Sequence, residues 1–237
     1  MSANHEAPFP QLRTAYLRAI ARAWRDDAYF RRLLEASRVE PRGALTMLER
    51  DFNFRFPFDV KFAIDDRERP RFRPILSGGW YGFADRFDVA LPARPADPAD
   101  AAAVLARYCA EFPSLLGKAI EADPFVSAPP DFAEFGVITA RLVALVWADP
   151  AVAGALYAAD DGRAIVQDAL DVVIPWNFTV KFVEAPGPSS DRDDYWNTFP
   201  RSAITVHLPE RPAPVEIEPI ALAAYNDTGG QYPFTCG

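Results

Sequence analysis

Apolar residues recur at helical spacing early in the chain. Leu17, Ile20, Ala21, Trp24 and Ala28 form one stripe and the arginines between them fall outside it, the pattern of a helix with one buried face. Pro41 is placed to open a second helix, GALTMLERDF, because a first-turn proline loses no intrahelical hydrogen bond. The period then changes. In PFDVKFAID, Phe58, Val60, Phe62 and Ile64 alternate with Asp59, Lys61 and Asp65, which predicts a half-buried strand. FDVALP predicts its partner strand, ended by Pro92.

The same landmarks return in the same order. Residues 141–157, RLVALVWADPAVAGALY, answer residues 18–34, RAIARAWRDDAYFRRLL, so that Trp147 stands for Trp24, Asp149 for Asp26, Ala151 for Ala28 and Leu156 for Leu33. NFTVKF at 177–182 answers PFDVKF at 57–62, and VHLPERP at 206–212 answers VALPARP at 89–95. Ordered matches of this kind mark duplication of a unit of roughly 75–85 residues, the size of a small domain. The second copy predicts a helix through Trp147, a short helix from Arg163 to Leu170, a strand FTVKFVE and a strand AITVHL.

The expected fold is therefore α+β, with two tandem α-α-β-β units joined by a helical bridge and followed by a flexible C-terminal tail. The first unit is placed at 1–95, the bridge at 96–137 with an interruption at Pro113, and the second unit at 138–212. An arm at 213–230 carries a short helix near Ile220 to Tyr225 and a double glycine. The tail is 231–237.

Composition narrows the function classes. Half the residues are hydrophobic and 13% aromatic, enough for one large core or two small ones. With 25 basic residues against 33 acidic ones and a net charge of -8, a phosphate-binding surface for nucleic acid is not expected. The sequence has no basic, apolar leader segment and no apolar run of membrane-spanning length, so neither secretion of the whole chain nor membrane insertion is expected, and the precursor is placed in the cytoplasm. Two cysteines, Cys109 in a helical pattern and Cys236 near the end, make no disulfide framework.

Catalytic and metal motifs are missing. His5 and His207 have no second ligand nearby in sequence, so no metal and no cofactor is expected. Asp65-Asp66 and Asp193-Asp194 are carboxylate pairs in expected loops, where solvated turns use the same residues. Neither a nucleophile elbow nor a phosphate or dinucleotide loop is present, and the chain does not read as an enzyme. Trp24 and Trp147, each on an apolar stripe, read as core anchors. What remains is the tail, GGQYPFTCG at 229–237. Chain ends are accessible and seldom bury anything, so a segment whose reactive side chain is Cys236 reads as a substrate.

Trp24, Asp26, Phe30, Leu33 and Leu34, in that order and followed by an Ala-Leu helix, a strand and a closing Leu-Pro, resemble the nitrile hydratase alpha-subunit-like leader peptides. With the tail YPFTCG the chain resembles the duplicated-leader precursors of thiazole/oxazole-modified microcins (TOMMs), a bacteriocin-type family. The clustered Cys-x-x-Cys-Ser-Cys metal motif of nitrile hydratase itself is missing.

The resemblance implies a leader function for the repeats, with Trp147, Asp149 and Leu156 repeating part of the motif. It implies modification at Cys236. Attack of its thiol on the Thr235 carbonyl closes a five-membered ring, loss of water gives a thiazoline, and oxidation gives a thiazole. Thr235 is the second candidate, through attack on the Phe234 carbonyl by a poorer nucleophile. Gly229 and Gly230 resemble a double-glycine cleavage site. The implied partners are a cyclodehydratase, a dehydrogenase or other oxidative enzyme, and a peptidase-containing exporter for the released peptide. Two further readings fit the same residues: a protein-binding module with an incidental tail, and a nitrile-hydratase-related protein that has lost its metal site.

Overall fold

A computed structural model describes residues 8–74, 79–112, 130–174, 178–187 and 192–227. The first repeat opens with α1 (Pro8–Ala23), α2 (Asp27–Val39) and α3 (Gly43–Phe52). It continues with β1 (Lys61–Asp65), a hairpin of β2 (Arg71–Arg73) and β3 (Gly79–Tyr81), β4 (Arg86–Leu91), a 3-10 turn and α4 (Ala101–Glu111). The second repeat runs α5 (Pro130–Ala148), α6 (Pro150–Ala158), α7 (Arg163–Leu170), β5 (Thr179–Glu184), α8 (Arg192–Thr198), β6 (Ala203–His207), a 3-10 turn and α9 (Glu218–Asp227). The fold is α+β. Residues 96–137 hold the 3-10 turn, α4 and the start of α5.

The helix expected through Trp24 to Ala28 is two helices, and the repeated aspartate is the reason. Asp26 is extended (φ -131, ψ 93) and its carboxylate accepts the Tyr29 N–H at 2.8 Å, so it caps a new helix instead of continuing the old one. Asp149 does the same between α5 and α6, accepting from the N–H groups of Ala151 and Val152, with Pro150 in the first turn behind it. Each unit thus opens on three helices. The duplication extends to smaller details. Asn53 after α3 and Asp171 after α7 both adopt the left-handed conformation at φ 53 and ψ 55. Glu49 accepts the Phe56 N–H at 2.8 Å, and Gln167 accepts the Ile174 N–H at the same distance.

Two elements had no counterpart in the sequence pattern. The β2–β3 hairpin sits between β1 and β4, and α8 sits at the same place in the second repeat. Asp193-Asp194 are in α8, not in a loop.

The main sheet has the order β1-β6-β4-β5. β1 runs parallel to β6, β6 antiparallel to β4, and β4 parallel to β5. No strand in it pairs with the other strand of its own repeat. Phe62 stands opposite Ile204, whereas its counterpart Phe182 stands opposite Val89. The two parallel pairings therefore differ by two residues, a slip that leaves every side chain on its original face. One face is apolar and buried, through Phe62, Ile64, Phe87, Val89, Val180, Phe182, Ile204 and Val206. The opposite face carries Lys61, Ala63, Asp65, Arg86, Lys181 and Thr205. The buried residues of both repeats form one continuous cluster.

Candidate functional site

Three places hold the residues with most to do. The first is the leader-motif positions. Trp24 is 6% exposed and Trp147 9%. The Trp24 indole N–H donates to the Pro209 carbonyl at 3.0 Å, and that of Trp147 to the Pro92 carbonyl at 2.8 Å. Leu33, Leu34 and Leu156 are buried, and Phe30 is partly buried with the Arg69 guanidinium 5.0 Å over its ring. Asp26 and Asp149 are the caps already described, and the Tyr29 N–H holds the Asp26 carboxyl below its ordinary range. These positions pack the core and cap helices in both repeats.

The second place is α9, the last described element before the tail. Glu218 at its start is buried (4% exposed) and faces two guanidinium groups, Arg211 at 2.6 Å and Arg25 at 3.0 Å. Hydrogen bonding to Arg211 is the main cause of its lowered pKa, with Arg25 adding to it, and a carboxylate also suits a helix N-terminus. Further along, the Trp80 indole N–H donates to the Ala221 carbonyl at 2.7 Å, and Tyr225 packs edge-on against Trp80 at 5.5 Å. Tyr16 of α1 lies 6.5 Å from Tyr225. Burial raises the Tyr16 hydroxyl pKa well above the ordinary value.

The third place is the polar face of the sheet, where a groove of about 840 Å³ is lined by Lys61, Arg86, Thr205 and His207 together with the end of α2 and the turn after β1. Its charges are mostly paired locally. Arg38 meets Asp66 at 3.0 Å and Arg86 meets Asp88 at 2.9 Å. Arg67 holds the Asp65 carboxyl at about 2 by a direct hydrogen bond. Beneath the groove the Asp85 carboxylate accepts the backbone N–H of His207 at 2.8 Å and lies 3.1 Å from its Nδ1. Both residues are buried. At the positions that answer Asp85 and His207 the second and first repeats carry Ser202 and Ala90, so the pair exists at one of two related places. It was invisible in the sequence because the partners are 122 residues apart. The available signal was the mismatch of Ala90 with His207 inside a block where five of seven positions match.

The sheet edges are blunted. On β1 the outward N–H groups of Phe62 and Ile64 donate to Pro41 O at 2.8 Å and Ser37 Oγ at 2.7 Å. On β5, Val180 donates to Asp161 and accepts from the Gly162 N–H. Both arrangements limit strand addition. Among the described residues no three His, Cys, Asp or Glu side chains are placed to hold a metal ion. Among the same residues no single helix is long and apolar enough to cross a membrane.

The family described as "Ribosomal natural product, two-chain TOMM family" matches the chain in two segments, residues 7–116 and 130–233, one over each repeat. The chain belongs to the two-chain TOMM family. No curated protein and no solved structure gives a significant match. The TOMM match leaves out residues 117–129, between α4 and α5, and ends before Thr235 and Cys236, while Gly229 and Gly230 fall inside it. All four of these candidate modification and cleavage residues lie outside the described residues. Membership of a TOMM family implies modifying enzymes as partners in general.

Proposed function

We propose that this TOMM-family chain is a ribosomally made precursor whose folded repeats serve as a nitrile hydratase alpha-like leader and whose segment QYPFTCG is the substrate. The observation that carries this is the family match over both repeats. Azole formation is assigned to Cys236, with Thr235 as a second site, and cleavage to the Gly229-Gly230 step. The chain itself is not an enzyme in this reading; the ring closure and oxidation belong to its partners, and a peptidase-exporter releases the product.

The other cysteine is a poor competitor for physical reasons. Cys109 lies within α4, and the carbonyl it would attack, that of Tyr108, already accepts the Phe112 N–H at 2.8 Å. Ring closure there would require breaking the helix turn. The anchoring of α9 by Glu218 and Trp80 further supports the reading, since it would start the tail from a fixed point on the folded surface.

The test is co-production with the modifying enzymes of the native host, followed by intact and tandem mass spectrometry. Each ring closure should remove one water and each oxidation to an azole two further hydrogens, with the change located between Phe234 and Gly237. Cys236→Ala should abolish it and Cys109→Ala should leave it intact. An unmodified Cys236 in the presence of all these enzymes, or a modification at Cys109, would favour the binding module with an incidental tail.

A further inference from the structure

The three ladders of the main sheet, β1 with β6, β6 with β4 and β4 with β5, each join a strand of one repeat to a strand of the other. The helices that follow are exchanged too. α4, from the first repeat, packs against α5, and its Tyr108 lies 6.4 Å from Trp196 and 5.9 Å from Phe199. α9, from the second, packs against α1 and β3, with Tyr225 against Trp80. The two indole bonds, Trp24 to Pro209 and Trp147 to Pro92, close the exchange symmetrically.

We infer that the two repeats form one obligate folding unit, in which the binding partner of the C-terminal half is the N-terminal half of the same chain. Taken alone, either repeat would leave its two main-sheet strands without a ladder partner and its last helix without the surface it covers. Buried backbone groups without partners are not tolerated, and a core divided in this way would lose most of its burial. The covalent link between α4 and α5 is then dispensable for association. Resting on the precursor reading above, the inference adds that the surface offered to modifying enzymes is composite. The half that carries the tail is not a leader by itself.

The experiment uses the full chain with a specific protease site inserted between Ala122 and Asp123, cut after folding and checked on a denaturing gel. The halves should stay together at the size of the uncut protein and keep its circular dichroism. The melting midpoint of the cut protein should fall on dilution while that of the uncut protein stays fixed. Separation into two folded, monomeric halves would overturn the inference, as would two independent unfolding transitions in the uncut chain. In a second arm the C-terminal half is produced with the modifying enzymes, with and without the N-terminal half. Its tail should be modified only when both are present, and full modification without the N-terminal half would overturn the composite surface. Absence of modification in the uncut chain would count against the precursor reading and not against the exchange, which the size measurement decides.

Discussion

The indole N–H of Trp24 donates to the carbonyl of Pro209, 185 residues along the chain. Trp147 repeats the contact with Pro92. In each case the tryptophan of one repeat is bonded at the point where the second main-sheet strand of the other repeat ends in Leu-Pro. The two contacts differ in one respect that can be measured. Pro209 also accepts from Arg69 at 2.9 Å, whereas among the described residues no second donor reaches Pro92.

Replacing each indole by a ring without the N–H should therefore give unequal losses. Trp147→Phe leaves a buried carbonyl without its donor and should cost roughly 1–3 kcal/mol, and Trp24→Phe should cost less, because Arg69 still serves Pro209. Urea unfolding of the two variants measures this. Equal losses would mean that Arg69 does not substitute for the indole.

Glu218 should make stability depend on acid. Its two arginine partners lower its folded pKa below the ordinary value of 4.5, so the stabilisation is present above that value and is lost as the pH falls through the folded pKa. Glu218→Gln should be destabilising at pH 7, and the gap between variant and wild type should narrow below about pH 4.5. A gap unchanged between neutral and acid solution would show that shape, not charge, is what Glu218 contributes. Added salt should weaken the effect, since both guanidinium groups are partly in solvent.

Two glycines should respond in opposite directions. A Cβ at Gly43 would stand 2.0 Å from the backbone oxygen of Ala36, so α2 and α3 would have to part. Gly43→Ala should lose about 1–3 kcal/mol. At Gly154, within α6, nothing lies within 4 Å of such an atom, and Gly154→Ala should gain about 0.5–1 kcal/mol from helix propensity. Thermal melts of both variants would show it, and a neutral Gly43→Ala would contradict the close approach of the two helices.

Much of this architecture is local and was readable along the chain. The period-two strands, the bounds of α3 and α7 and the duplication itself follow from residue spacing, whereas of the stripe expected around Trp24 only Ile20 and Trp24 are buried and Ala28 lies exposed in α2. Asp26 and Asp149 were visible as matched residues, although their capping role, which splits one expected helix into two, needed the backbone angles. The expected pairing of the FDVALP strand with the strand before it in the same repeat is not what forms, since β1 pairs with β6, and β4 with β6 and β5. The reason is physical. Val60 and Phe62 alternate as Val180 and Phe182 do, so a strand's local preferences are satisfied equally by the partner in its own repeat or in the other. The exchange was decided by contacts far apart in sequence: Trp24 with Pro209, Trp147 with Pro92, Glu218 with Arg25, and Asp85 with His207. The chemistry of Thr235 and Cys236 is read from residue type and position alone. The tertiary structure determined instead that the two tandem repeats interlock, because the main-sheet strands of each find their ladder partners in the other.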